Sequence, residues 1–471
     1  MRPPTINYTF LINKQMKITT LLLLITCKLF GQTAMPEQIF SIEQLQEDFK
    51  FIRSKMEKYN TNLYLYTDKT TLDNKFKDLY TGIDKPMTAP EFYCYISSIQ
   101  PTVKDGHNYM LPSQELQNYY ASNSLYFPID FTEYKDRLFI TQNFSNDNSI
   151  NVKDEILSIN GIKADSIYKL LENRHPRDGN NKLYAKYVTL TYFRSYFGFM
   201  FGFCKSFDLE LKSPNGLTTN KTIEALPLSI IRSRRNAVIN KRYDRINHEK
   251  GIEWTIDKER KFAYLFISHW TTKQMKKDYN LSFKKEFKMF FQDVKILGVE
   301  NIIVDLRGNQ GGNGENGIEF LKHIMNVPFK YIDQVQKFNR KGVLVNASRP
   351  LTKVHQPYQN AFNGKVFVLV NEGSFSNSSI FSEAFKKYNR GKLIGTETGG
   401  CSTLSGGDGY FTCPNTRINL LKVTHRMITT KTHIKNGQGV IPDLIIEPTL
   451  EQILNNDDIV LKRTIEICSD K

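Results

Sequence analysis

The 471-residue sequence predicts an α/β protein whose layered C-terminal half follows a helical region and a β-rich middle. Three observations predict this. From Gly251 onward, buried-strand runs at Phe262–Ile267, Ile302–Leu306 and Val366–Val370 alternate with helical patterns near 279–296, 315–325 and Ile380–Tyr388. That order belongs to a layered α/β architecture. Residues 41–100 show helical spacing, whereas Ser124 to about Leu228 shows short alternating strands with turns at Asn160-Gly161 and Pro214-Asn215-Gly216.

The chain opens on a secretory pattern. Lys14 and Lys17 precede an apolar run, Ile18–Thr26, that is too short to span a bilayer, and Leu29-Phe30-Gly31-Gln32 follows. Residues 1–31 are therefore expected to be a signal peptide, with Met16 as a workable start. A rival reading makes Cys27 a lipid attachment site, because Leu24-Ile25-Thr26-Cys27 is near a lipobox, although threonine fits poorly before the cysteine. No other segment reaches the roughly 18 consecutive apolar residues of a membrane helix, so the expected location is secreted or periplasmic.

Composition narrows the partners. With 40% hydrophobic and 24% charged residues the chain is of ordinary globular type, and its net charge of +16 favours anionic surroundings. The densest basic stretch, Arg232–Lys250, is read as a solvated interdomain linker, so no nucleic acid is expected as a partner. Beyond the signal lie Cys94, Cys204, Cys401, Cys413 and Cys468, with no metal-type spacing. Cys401 and Cys413 are the pair nearest in sequence. Neither a metal nor a cofactor is expected.

The helical region contains three candidate helices. Ile42, Leu45, Phe49, Ile52 and Met56 mark the first, with Ser41 and Gln44 at capping-box spacing. Leu72, Phe76, Leu79 and Ile83 mark the second; Phe92, Tyr95, Ile96 and Ile99 mark a third that ends before Pro101. A polar loop, Val103-Lys104-Asp105-Gly106-His107-Asn108, follows it. In the β-rich middle, Val152–Gly161 and Ile167–Leu171 resemble the central strand, turn and helix of a PDZ domain, a module that adds a peptide strand to a sheet edge. Lys153 stands where many such domains have glycine. The aromatic run Tyr187–Phe203 is read as core rather than as a ligand groove.

Two loops in the C-terminal half carry the chemistry. Ser376 lies where the buried strand Val366–Val370 turns into a helix, a place where unpaired backbone N–H groups can stabilise an oxyanion. Its rival reading is a simple helix cap by Ser376 or Ser378. Upstream, NIIVDLRGNQGG (301–312) runs a strand into a glycine loop ahead of the helix near Glu315. Gly312, Gly314 and Gly317 spell a dinucleotide fingerprint, but the strand ends too early for it, and no Gly-Lys-Ser/Thr follows for a phosphate loop. The reading that remains gives Gly311 or Gly312 one N–H of an oxyanion hole and Asn377 the other.

DLRGNQGG (305–312), VNEGSFSNSS (370–379), GKLIGTETGG (391–400) and Gly439-Val440-Ile441-Pro442-Asp443, in that order, resemble the C-terminal-processing (tail-specific) serine peptidase family. The resemblance implies a ClpP/crotonase-like core of stacked βα units and cleavage of unfolded or C-terminal peptide segments. It makes Ser376 the nucleophile, with the following residue and the glycine loop as the oxyanion hole. The lysine of the Ser/Lys dyad branch is absent, since Cys401 matches its position. The chain is closer to the branch of the tricorn core protease and the retinoid-binding proteins, whose base comes from an Asp-Gly-His type loop; His107 is the matching residue.

Neutral imidazole can take the serine proton and return it to the leaving amine. Asn436 matches the orienting position in that branch, and Asp105, Asp408 and Glu397 are rival third residues. Asp305 and Arg307 are read as a structural bidentate pair. The expected organisation is a signal peptide (1–31), an N-terminal helical domain (32–120), a PDZ-like domain (121–235), a peptidase core (236–455) and a C-terminal tail (456–471). The expected function is a secreted serine endopeptidase acting on peptides or unfolded proteins. The alternative is a non-catalytic protein on the same fold that binds apolar ligands or protein tails.

Overall fold

The computed structural model describes residues 37–239, 250–429 and 437–469. The signal-like segment with Cys27, part of the basic stretch (Lys241, Arg242, Arg245) and Asn436 lie outside the described residues. Among the described residues no helix is long and apolar enough to cross a membrane.

The C-terminal half is built on one six-stranded sheet. Ile252–Asp257, Phe262–Ile267, Asn301–Asp305, Lys365–Val370, Lys392–Gly395 and Leu444–Ile445 lie side by side in that order, the first pair antiparallel and the rest parallel. Parallel strands buried on both faces read as unbroken apolar runs, which is why Ile302-Ile303-Val304 and Val366–Val370 show no alternation. Helices Phe283–Ile296, Gly314–Ile324 and Asn377–Lys387 cover one face, with Trp270, Phe287, Phe320 and Phe381 in the largest core. The other face is covered by Ile459–Ser469, whose Val460, Leu461 and Cys468 pack on Ile303, Phe367 and Leu369. Residues 459–469 therefore form the second layer of the core rather than a tail.

A long hairpin, Thr403–Thr412 with Asn419–Ile428, projects from this core. Its tip enters the helical domain, where Cys413, Ile418 and Leu420 join Phe49, Phe76 and Phe92. The buried carboxylate of Asp48 fixes the join by accepting from Thr416 N at 2.7 Å and Asn415 N at 3.0 Å. Met110–Leu111, just after the histidine loop, adds a short strand to the same hairpin. The helices Ile42–Tyr59, Lys69–Thr81 and Ala89–Ile96 lie where the apolar spacing put them, and the Ser41/Gln44 capping box is formed.

In the middle region, strands Thr218–Glu224, Ser206–Lys212, Glu155–Ile159, Arg137–Asn143 and Ile129–Tyr134 form an antiparallel sheet in that order. The helix Ala164–Glu172 packs on it. The aromatic run departs from the strand pattern: Leu183–Phe201 is helical, broken at Tyr192, whose φ/ψ of −115°/17° is not helical. Its second half, with Phe193 and Phe197, fills the core of the β-rich sheet. Its first half, with Tyr184 and Val188, packs instead on Phe375 of the C-terminal half. All five described cysteines are free, with Cys401 and Cys413 buried in different cores.

Candidate active site

Ser376 follows the parallel strand Lys365–Val370 and precedes the helix Asn377–Lys387. Its backbone sits at φ 54°, ψ −118°, a left-handed conformation that costs a non-glycine residue on the order of 1–3 kcal/mol and must be held by its surroundings. The turn is held from both sides. Phe375 N donates to Asn309 O at 3.1 Å, and Gly399 N donates to Ser374 O at 3.1 Å. Although Ser376 occupies the cap position, its hydroxyl makes no cap bond. Ser378 is no cap either, since its Oγ accepts from Trp270 Nε1 at 3.0 Å.

The Ser376 hydroxyl meets His107 instead, with Oγ 2.9 Å from Nε2. The short helix Gln100–Val103 ends at Lys104 in a left-handed turn, φ 56°, which throws Asp105-Gly106-His107 toward the serine. Asp178 then fastens the loop: its Oδ1 accepts from Gly106 N at 2.8 Å. A Cβ on Gly106 would stand 2.8 Å from that oxygen and 2.9 Å from the Phe375 ring, so only glycine allows the approach. Ser376 and His107 are thus brought together from positions 269 apart.

The His107 ring is buried and stacked on Phe375, with centroids 4.7 Å apart. Burial pushes its pKa down to about 4, against the opposing pull of the Asp105 carboxylate, so the ring is neutral near pH 7. With Nε2 turned to the serine, Nδ1 is buried and has no hydrogen-bond partner among the described residues. Asp105 uses Oδ1 to accept from His107 N at 3.1 Å and Ser405 Oγ at 2.5 Å, while its buried Oδ2 has no partner. Glu397 is engaged elsewhere, accepting from Gly439 N at 2.7 Å, and Asp408 is exposed. None of the three rival residues makes a hydrogen bond to the ring.

Asp178, which sequence reasoning missed, is a second fully buried carboxylate. Its Oδ2 accepts from Cys401 N at 3.4 Å. Burial, with Asp105 adding to it, pushes its pKa up to about 7. Cys401, which the resemblance sets against the dyad lysine, donates its thiol to Thr403 O at 2.8 Å, and burial drives its pKa well above the ordinary thiol range. It is a packed residue without thiolate character.

On the other side of the serine, Gly311 adopts φ 98°, and a Cβ there would lie 2.7 Å from both Asn377 N and Ser376 Cβ. The Gly311 N–H is not a free donor, because it bonds Asn309 Oδ1 at 3.0 Å. This corrects the expectation that Gly311 can serve as a donor: its contribution is space. Gly312 N and Asn377 N have no acceptor among the described residues. Asp305 and Arg307 form the expected bidentate pair, at 3.0 and 2.7 Å, and Arg307 also grips Asp458 at 2.7 and 2.8 Å.

A family model described as peptidase family S41 matches residues 261–446, which contain the parallel strands, the glycine loop and Ser376. That segment is similar to an S41 peptidase domain. Two curated relatives, each described as a probable CtpA-like serine protease, come from Staphylococcus saprophyticus (32% identical) and Staphylococcus epidermidis (31%). Both matches run over 163 residues, 34% of this chain and only 30% of the relative's length. The crystal structure of mature CPAF is similar in fold well beyond the matched segment, with a TM-score of 0.64 over 91% of this chain and 97% of that one, at 14% identity.

His107 lies far outside the family-matched segment. A glycine-histidine loop was visible in the sequence; Asp178 and Tyr184 were not, because they sit in a region read as β-rich. The signal available was the Asp178-Gly179 dipeptide, a turn former just ahead of an aromatic run with no period of two.

Proposed function

We propose that this protein is a serine endopeptidase of the histidine-using branch, exported from the cytoplasm, that cleaves unfolded or C-terminal peptide segments. The observation that carries the reading is the 2.9 Å approach of His107 Nε2 to Ser376 Oγ, made by a serine held at a strained φ of 54° and free of capping duty. Ser376 Oγ attacks the peptide carbonyl carbon while His107 Nε2 takes the hydroxyl proton. The carbonyl oxygen becomes an oxyanion within reach of the Asn377 and Gly312 N–H groups. His107 then delivers its proton to the leaving amine, the C–N bond breaks, and water drawn through the same imidazole hydrolyses the acyl-enzyme.

Imidazolium forms transiently on a buried ring, so a nearby negative charge stabilises it. Asp105 and Asp178 are the buried carboxylates beside the histidine loop. A binding protein has no use for a strained serine paired with a neutral imidazole, which favours the peptidase over the ligand carrier on this fold. The test is degradation of an unfolded protein such as reduced casein by the mature chain. Wild type degrades it, while Ser376→Ala and His107→Ala do not. Equal degradation by the Ser376→Ala protein would contradict the proposal.

A further inference from the structure

His107 has an unusual mounting for a proposed catalytic base. Its Nδ1 has no acceptor among the described residues, so no hydrogen bond from a described residue fixes the ring's rotation on its far side. What holds the ring is its face. Phe375 stacks on it at 4.7 Å and 28°, and Phe375 is itself clamped on its other face by Tyr184, at 3.7 Å and 9°. Three rings, His107, Phe375 and Tyr184, thus form one pile whose end member comes from the helix Leu183–Phe201.

Tyr184 is tied at its other end as well. Its hydroxyl donates to Gln310 Oε1 at 2.9 Å, and Gln310 Nε2 donates to Tyr192 Oη at 2.9 Å. One turn on, Tyr187 Oη donates to Gly308 O at 3.3 Å. The helix start is fixed by Leu183 N on Asn181 Oδ1 at 2.8 Å, while Asn181 Nδ2 reaches Glu397 Oε1 at 3.2 Å. Just before it, Gly179 N donates to Lys104 O at 2.9 Å. The stretch from Asp178 to Tyr192 therefore touches the histidine loop, the glycine loop, the nucleophile turn and the loop after strand Lys392–Gly395.

We propose that Tyr184 is a positioning residue: by clamping Phe375 it holds the His107 ring in the orientation that presents Nε2 to Ser376, and by its hydroxyl it ties that ring to the glycine loop. The inference rests on the Ser376–His107 reading. Tyr184 touches no reacting atom. Its effect passes through Phe375, the residue adjacent to the nucleophile, so one aromatic clamp sets both the base and the turn that carries the serine. The stack also shields the ring from water, which contributes to the lowered pKa of His107. The charged or titratable groups about the histidine loop are Asp105, Asp178, the Cys401 thiol, the Tyr66 phenol and the Arg426 guanidinium, with Tyr109 two residues beyond His107 and beside Tyr184; Tyr184→Leu leaves all of them in place.

The test is the rate at which a fluorophosphonate labels Ser376 in the full mature chain, followed against pH. Tyr184→Leu removes the flat ring and is expected to slow labelling by about 10- to 100-fold, the scale of a misplaced catalytic group. Its acidic limb is expected to move to higher pH as water reaches the imidazole. Tyr184→Phe keeps the clamp and is expected to stay within about threefold of wild type with an unchanged limb. A loss of folded protein lowers the amount labelled and leaves the limb in place, so the pH profile separates positioning from stability.

Phe375→Leu, which removes the middle ring, is expected to reproduce the shifted limb if Tyr184→Leu does not fold. Wild-type rate and profile in Tyr184→Leu, or equal losses in the Phe and Leu variants, would overturn the clamp. If Ser376→Ala takes the label as wild type does, the peptidase reading fails instead, whatever Tyr184 does.

Discussion

The Asp178 carboxylate accepts the Gly106 N–H at 2.8 Å, so the loop that carries His107 is fastened from the β-rich region as well as from its own helical domain, where Asn60 Nδ2 donates to Asn108 Oδ1 at 3.2 Å. The same carboxylate receives Cys401 N–H, joining the histidine loop to the entry of the long hairpin. It is fully buried next to a second buried carboxylate, Asp105. Two carboxylates cannot both ionise cheaply there, and Asp178 is the one whose pKa is pushed up, to about 7.

Asp178 and His107 pull stability in opposite directions with pH. For Asp178 the unfolded value is 3.8 and the folded value about 7, so stability is greatest below 3.8 and is lost as pH rises toward 7. For His107 the unfolded value is 6.5 and the folded value about 4, so stability is full above 6.5 and is lost as pH falls toward 4. Asp178→Asn removes only the first effect. Urea midpoints are expected to rise with pH between about 4.5 and 7 in the variant relative to wild type. A parallel pair of curves would show that Asp178 is ionised throughout.

The low pKa of His107 also sets the activity profile. A base neutral down to about pH 4 is expected to give a rate that is flat from about pH 5 to 8, where an ordinary imidazole would lose half its rate near pH 6.5. The measurement is kcat/KM on a fluorogenic peptide at constant ionic strength. An acidic limb near 6.5 would place the imidazole in water.

Gly311→Ala tests the space beside the nucleophile. The new methyl would stand 2.7 Å from Asn377 N, at a φ of 98° that alanine resists. Loss of a hundredfold or more, on the order of removing an oxyanion donor, is expected in labelling rate. Melting temperature is expected to drop as well, since the loop has no slack. An active Gly311→Ala protein would show that the oxyanion site lies elsewhere.

Arg307 is held between Asp305 and Asp458, with Tyr264 Oη also on Asp305 at 2.7 Å. Arg307→Met leaves two largely buried carboxylates without their cation and is expected to cost about 3 kcal/mol in urea unfolding. Asp458→Asn keeps the Asp305 pair and is expected to cost less. Because Asp458 immediately precedes the helix Ile459–Ser469, the larger loss includes undocking of that layer.

Much of this architecture was legible in the sequence, and the reason differs by region. The strands Asn301–Asp305 and Lys365–Val370 are buried on both faces, so each announces itself as an apolar run whatever packs against it. Ser376 stood out because a buried strand, a serine and a helical period follow one another within a few residues. Asp178 gave no such signal, since a lone carboxylate in a loop looks the same whether it is solvated or buried against Gly106. The helix Leu183–Phe201 was obscured because aromatic residues serve strands and helices alike, and its two halves pack into different cores. The C-terminal helix was missed for a related reason: its apolar face is short and has meaning only against Ile303 and Phe367.

The most direct test is to treat the mature protein with a fluorophosphonate and locate the adduct by mass spectrometry. The expected result is a single adduct on Ser376, absent in Ser376→Ala and strongly slowed in His107→Ala. Labelling at full rate in His107→Ala, or an adduct on any other serine, would contradict the pairing of these two residues as nucleophile and base.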